Sequence, residues 1–327
     1  MLRTDVCTLL GIEVPIVQGP IAPFTSPELV AAVSNAGALG SLGTAMWPAR
    51  DVQRALERLA ELTARPFAVN FTHNTFDEEA FALTLAARPR VISFALGFVA
   101  DRVRRAKDAG CLVVHQAHTV RQAVEAAEGG AEVIIAQGDE AGGFGGPVGT
   151  MALVPQVVDA VRPLPVLAAG GIGDGRGLAA ALVLGAQGIN IGTRFMASEE
   201  APIGEAWKQA ILGAHSEDTA RVAFVNEFLP PAPGSYPTAP RTLRSPFVER
   251  WEHEPQKARQ AAEQLRAEVV AAVRERRMHE VLPITGQTAG MIKEILPAAE
   301  IVRRLVAEAE AALDAAASLR QVPTPGA

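Results

Sequence analysis

Six short segments hold most of the residues able to bind or react with a small molecule: QGPIAP (18–23), NFTHN (70–74), HQAHT (115–119), QGDEAGGFGGP (137–147), AAGGIGDGRG (168–177) and IGTRF (191–195). Glycines and side-chain amides dominate them. Gly170-Gly171 and Gly192-Thr193 stand in two consecutive segments, where backbone N–H groups free of side chains, next to a helix N-terminus, can cradle a phosphate. Either pair alone reads as well as a tight turn; the two in succession favour the phosphate. Asn70 and Gln137 carry amides that donate and accept, the two-way hydrogen bonding required by a heterocyclic edge or a polyhydroxyl chain. Each also serves as an ordinary capping group.

Other reactive side chains give weaker signals. His73, His115 and His118 follow apolar runs and are proton donors or acceptors near neutrality if their surroundings leave them unperturbed, although structural or surface roles fit each of them better. Asp139 and Glu140 are adjacent, so they are not a facing carboxylate pair and neither is assigned a catalytic role. Arg194 follows the second glycine segment and can neutralise a phosphate or pair with an acidic neighbour. Cys111 opens an apolar run and reads as core rather than nucleophile.

These segments need a scaffold that brings strand ends together. Apolar runs rich in Val and Ile precede them at Pro15–Gln18, Ala38–Ser41, Phe67–Asn70, Val91–Phe94, Cys111–Gln116, Val133–Gln137, Pro165–Ala169 and Gly188–Ile191, with helical stretches of Ala, Leu and charged residues between. Short, nearly all-apolar runs are the pattern of parallel strands buried on both faces. Eight βα units close a (β/α)8 TIM barrel, whose active site lies at the carboxyl ends of the strands. A doubly wound open sheet is the fold alternative, disfavoured by chemistry near most strand ends. Ser26 before Pro27, and Thr119 followed by Gln122 in capping-box spacing, mark two helix starts.

With 327 residues the chain exceeds the roughly 250 of one barrel. The predicted organisation is a barrel over 1–200, a C-terminal helical appendage over 201–319 that returns to the active face, and a disordered tail over 320–327. Within the appendage, Pro-rich turns at Pro230–Pro240 precede a helical stretch at Gln256–Arg277, GQTAG (286–290) and a last helix near Pro297–Leu319; its interleaved charges read as a solvated face. Hydrophobic residues make up 49% and a net charge of −6 opposes a nucleic-acid or anionic-membrane partner. A small-molecule partner is expected instead. Two cysteines without CxxC or Cys/His spacing support neither disulfides nor a metal site. No apolar run reaches the ~18 residues of a membrane span and the N-terminus lacks a signal-peptide core, so a cytoplasmic location is expected.

Taken together, QGPIAPFTSPELVAAVSNAGALGSLG, FAVN, AQGDEAGG, VLAAGGIGDGRGLAAALVLGAQGINIGTRF and GQTAG resemble the nitronate monooxygenase family, also known as 2-nitropropane dioxygenases. The similarity runs from about Gly11 to Ala201 and returns near Gly286. It implies an FMN-containing barrel with phosphate contacts at Gly171, Gly192 and Thr193, further cofactor contacts near Gly19, Asn70, Gln137, Gly142 and Asn190, and Gln116 near the flavin ring. It also implies electron transfer from a nitronate to FMN and on to dioxygen, giving a carbonyl compound and nitrite. The alternatives are a reductase passing hydride from NAD(P)H to a quinone or an enoyl thioester, as related enoyl-acyl-carrier-protein reductases do, a flavin-binding protein without turnover, and a flavin-free barrel isomerase or lyase. Homo-oligomerisation stays open.

One departure matters. The family commonly places histidine after AGG, where this chain has Phe144, a residue that shapes a substrate pocket but cannot exchange a proton. The catalytic base is therefore unassigned, with His118 the substitute to test, and a preference for already ionised nitronates over neutral nitroalkanes is expected. GQTAG and Met291 are expected to cover the flavin face.

Overall fold

The apolar runs become parallel strands with almost every residue buried. In the computed structural model, which describes residues 2–319, the barrel strands are β1 (Ile16–Gln18), β2 (Gly40–Gly43), β3 (Phe67–Thr72), β4 (Val91–Ala95), β5 (Leu112–Ala117), β6 (Val133–Gln137), β7 (Val166–Ala169) and β8 (Gly188–Ile191). They pair in parallel in the order β1-β8-β7-β6-β5-β4-β3-β2. The ring closes between β1 and β2 through a parallel bridge of Val17 with Leu39. There the Gln18 N–H donates to Leu39 O at 2.9 Å and the Leu39 N–H to Ile16 O at 3.0 Å. The fully buried Gln18 side chain tightens this seam, accepting from Ser41 N at 2.9 Å and donating to Ser41 O at 3.1 Å.

The second strand starts later than the run Ala38–Ser41 suggests. Leu39 is taken by β1, and pairing with β3 runs from Gly40 to Gly43. Gly40 is required there: a Cβ would come 2.1 Å from Val30 O of the helix Pro27–Asn35. That helix is capped as its sequence indicates, with Ser26 accepting from Leu29 N at 3.2 Å and Pro27 at its start. Thr119 likewise caps Val120–Glu128, accepting from Gln122 N at 3.3 Å. Gln122, however, reaches past Thr119 and accepts from His118 N at 2.8 Å, so the capping box closes one residue early.

Residues beyond β8 differ from a purely helical appendage. The stretch expected over Gln256–Arg277 is two helices, Pro255–Gln260 and Ala262–Arg274. Two strands, Thr219–Arg221 and Ala239–Leu243, form an antiparallel sheet with Gly143–Gly145 from the segment after β6. The last helix, Ala298–Ser318, packs against Gly175–Val183 and Pro27–Asn35. It thus stands where the eighth helix of the ring belongs, and the barrel draws on both sides of residue 200. The tail expected at 320–327 lies outside the described residues. Among the described residues no helix is long and apolar enough to cross a membrane, and no group of three acidic, His or Cys side chains could hold a metal ion.

Candidate active site

The carboxyl ends of the strands open into a cavity of about 490 Å³. Gly19, Asn70, Gln116, Gln137, Gly142, Gly171, Asn190, Gly192, Thr193 and Phe144 all line it. Strand geometry explains the selection. Side chains alternate along a strand, so Gln116 of β5 reaches the cavity while His115 beside it is fully buried outside it, its Nε2 3.2 Å from Gly97 O.

The amides are held by neighbours. Asn70 Nδ2 donates to Ser93 Oγ at 3.0 Å, fixing it against β4. Gln137 Nε2 donates to Phe144 O at 2.9 Å, tying β6 to the strand Gly143–Gly145. Phe144 pairs with Pro240 and presents a half-buried ring to the cavity. Three glycines shape this end of the cavity. A Cβ on Gly19 would lie 3.1 Å from Asn190 Oδ1, and one on Gly142 would lie 2.6 Å from Gly286 N. Gly171 has φ +72°, a left-handed conformation natural to glycine. The GQTAG segment closes this end: Gly286 N donates to Thr193 Oγ1 at 3.0 Å, Gln287 N donates to Glu140 O at 2.9 Å, and Thr288 lines the cavity. Met291, expected on the same face, packs instead 3.3 Å from the Cβ position of Gly173 and lines a different recess.

Asp139 and Glu140 hold the loop together. Asp139 accepts from Arg221 Nε at 2.8 Å and from Arg241 at 2.7 Å. Burial opposes ionisation of Asp139, but the hydrogen bonds and charges of the two arginines outweigh it and hold its pKa below the usual carboxylate value. Glu140 caps the helix Thr150–Val161, accepting from Thr150 N at 2.9 Å and Thr150 Oγ1 at 2.8 Å. Arg194 donates to the carbonyls of Ala197 and Glu294 at 3.3 and 2.9 Å, so it braces the appendage and does not line the cavity. Cys111 is buried, and burial pushes its thiol pKa up.

The three histidines stand outside the cavity. None of His73, His115 and His118 lines the cavity. His118 sits behind it, its Nε2 3.1 Å from Gln116 Nε2, and burial, reinforced by the charges of Arg221 and His115, pushes its pKa down to about 3. Burial brings His115 down to about 4 despite hydrogen bonds with the backbone of Gly97 and Gln116 that raise it. His73 is taken up by Pro233 O at 2.9 Å and Arg102 at 3.2 Å. Arg266 is the one ionisable side chain on the cavity wall among the described residues.

The appendage supplies wall residues that the strand-end reading misses: Val225, Phe228, Val269, Val273, Met278 and Leu282. Arg266, Val269, Val270 and Val273 follow i, i+3, i+4, i+7 spacing, a signal present in the sequence but indistinguishable there from a core-facing stripe.

A model of the nitronate monooxygenase family matches residues 3–80 and 72–308. A nitronate monooxygenase of Paraburkholderia phytofirmans is 31% identical over 364 aligned positions that cover 94% of this chain and 95% of that one. A (3aS,4S,5R,7aS)-5-hydroxy-7a-methyl-1-oxo-octahydro-1H-indene-4-carboxyl-CoA dehydrogenase of Rhodococcus jostii is 39% identical over 67% of this chain, and the match spans 62% of that relative's length. The solved structure of FabK from Thermotoga maritima superposes with a TM-score of 0.89 at 32% identity, over 98% of this chain and all (100%) of that one. A barrel with glycine segments at its strand ends, a GQTAG closure and a family match over almost its whole length lead to one conclusion: the chain belongs to the nitronate monooxygenase family.

Proposed function

We propose that this protein is an FMN-dependent oxidoreductase that oxidises alkyl nitronates with dioxygen to a carbonyl compound and nitrite. The residues present fit FMN. The cavity falls in the 300–1,000 Å³ range of ligand sites, and Gly19 and Gly142 stand where a Cβ would meet the facing backbone or amide. Gly171, Gly192 and Thr193 would hold the phosphate through backbone N–H groups, with Asn70, Gln116, Gln137 and Asn190 as polar partners along the ring and ribityl chain. FMN supplies the two-electron redox chemistry when bound.

The observation that carries the reading is the absence of a carboxylate, imidazole, amine or thiol from the cavity wall among the described residues. A neutral nitroalkane must lose a C–H proton before oxidation, and general base catalysis typically contributes 10²–10⁴-fold. A nitronate has already lost that proton. Phe144 therefore orients and desolvates the substrate in an apolar setting and leaves its protonation state alone. Mixing the flavin-loaded protein anaerobically with propionate 3-nitronate should bleach the flavin band, and 3-nitropropionate, with its nitro carbon still protonated, should do so far more slowly. A band that stays oxidised with both removes nitronate oxidation.

A second reading, NAD(P)H-linked reduction of a quinone or an enoyl thioester, is favoured by the extent of apolar wall from Val225 to Leu282. The CoA-thioester name of the Rhodococcus jostii relative points the same way. Bleaching by NADH or NADPH but not by nitronate would select it.

A further inference from the structure

The one ionisable side chain on the cavity wall among the described residues has no part in the oxidation proposed above. Arg266 lies on the helix Ala262–Arg274 and heads a stripe whose other members are Val269, Val270 and Val273, all of them lining the cavity. The same helix buries Leu265, Val269 and Ala272 in the core, so the stripe runs along the boundary between core and cavity. Val270 is 56% exposed, and Met46, which lines the cavity from the segment after β2, is 51% exposed. Both line the cavity, so a ligand seated against its wall would cover them.

Arg266 is exposed beside them and has no hydrogen bond or ion pair with the described residues. The other arginines near the site are committed: Arg194 to backbone carbonyls, Arg221 and Arg241 to Asp139. Among the described residues no carboxylate lines the cavity to neutralise Arg266. An apolar wall with an uncompensated guanidinium on it is complementary to an amphiphile with an anionic end.

We propose that Arg266 selects substrates carrying an anionic oxygen group, a carboxylate or a phosphate ester, at the end of an apolar chain remote from the reacting carbon. The assignment rests on this cavity being the substrate site and not on which reaction occurs there. A guanidinium pairs with either anion in a forked, two-hydrogen-bond geometry that a neutral end group cannot reproduce. The chain between packs on Val269, Val270 and Val273, which hold charged and neutral substrates alike. Arg266 thus supplies the difference between them.

Calorimetric titration of the flavin-loaded protein with hexanoate and with 1-hexanol reads that difference, because the two ligands share a chain and differ in charge. Hexanoate should bind about fivefold more tightly than hexanol, the scale of one partly solvated ion pair, with a margin that shrinks as salt is raised. Arg266→Ala should remove the margin and leave hexanol affinity unchanged, while Arg266→Lys, which keeps the charge and loses the fork, should retain only part of it. Hexyl phosphate in place of hexanoate identifies the anion, the tighter of the two naming the class. Equal affinity for hexanoate and hexanol in the wild type, or a loss in Arg266→Ala common to both, overturns the assignment. Neither titration needs turnover. A protein that ignores propionate 3-nitronate yet discriminates hexanoate through Arg266 keeps this selectivity and loses nitronate oxidation.

Discussion

On the proposed reading, Phe144 decides which protonation state of a nitro compound is oxidised. Its backbone carbonyl accepts from Gln137 and its strand pairs with Pro240, and both contacts survive a change of side chain. Phe144→His should therefore fold normally and place an imidazole on the cavity wall. Steady-state assays should find kcat/KM for a neutral nitroalkane raised by roughly 10²-fold, with the nitronate within a few-fold of wild type; an unchanged ratio between the two substrates would argue against a missing base. The buried histidines leave a different signature. His115 and His118 have folded pKa values of about 4 and about 3, while the unfolded chain titrates near 6.5. Between those limits the unfolded state binds protons that the folded state refuses, so stability rises with pH. On acidification below about 6.5 it falls by about 1.4 kcal/mol per pH unit for each histidine, and above that pH neither contributes. Urea midpoints at pH 7 and pH 5 should converge in His118→Phe relative to wild type, and parallel shifts in the two proteins would disprove the account. Gln116 reaches the cavity as its strand-end position indicates, whereas His118, two residues on, is withdrawn behind it. Residue type is legible in a strand-end segment, but burial is not, and burial sets the pKa.

At the scale of elements, the eight strands were readable because each is a short apolar run buried on both faces, with errors of a residue or two where Leu39 changes partner. The three-stranded sheet was not. Gly143–Gly145 reads as a glycine loop, Ala239–Leu243 contains Pro240, and their pairing joins segments from opposite sides of β7 and β8. No periodicity in either segment announces it. This sheet and the GQTAG segment together clamp the loop after β6, and at Gly142 the loop meets GQTAG backbone to backbone. Gly142→Ala would set a methyl 2.6 Å from Gly286 N, and overpacking of that kind costs about 1–3 kcal/mol. FMN affinity measured by fluorescence should fall at least roughly tenfold while the far-ultraviolet circular dichroism of the barrel is preserved. Retained affinity would show that the clamp is not part of the cofactor site.

At the scale of the molecule, the barrel is completed from two distant stretches of chain. The first seven strands each lead in sequence to a helix of the ring, and the eighth position is filled by Ala298–Ser318 from beyond the appendage. Its buried face, including Ile301, Val302 and Leu305, covers Gly175–Val183 and Pro27–Asn35. A chain ending at Pro297 should expose both helices and lose its cooperative thermal transition in calorimetry. A sharp transition within a few degrees of the full chain would show the last helix to be dispensable. That helix is legible in the sequence but its place in the ring is not, because nothing local distinguishes an appended helix from one that closes a circle.

That arrangement bears on how the protein is made. A ribosome releases the strands in order, yet the ring keeps an uncovered flank until Ala298–Ser318 has emerged, and the cavity lacks its apolar wall and Thr288 until residues 225–288 have. On the proposed reading a flavin meeting a shorter nascent chain would find half a site, so loading would follow emergence of the last helix, and a stall between β8 and that helix would leave an open barrel for chaperones and proteases to recognise.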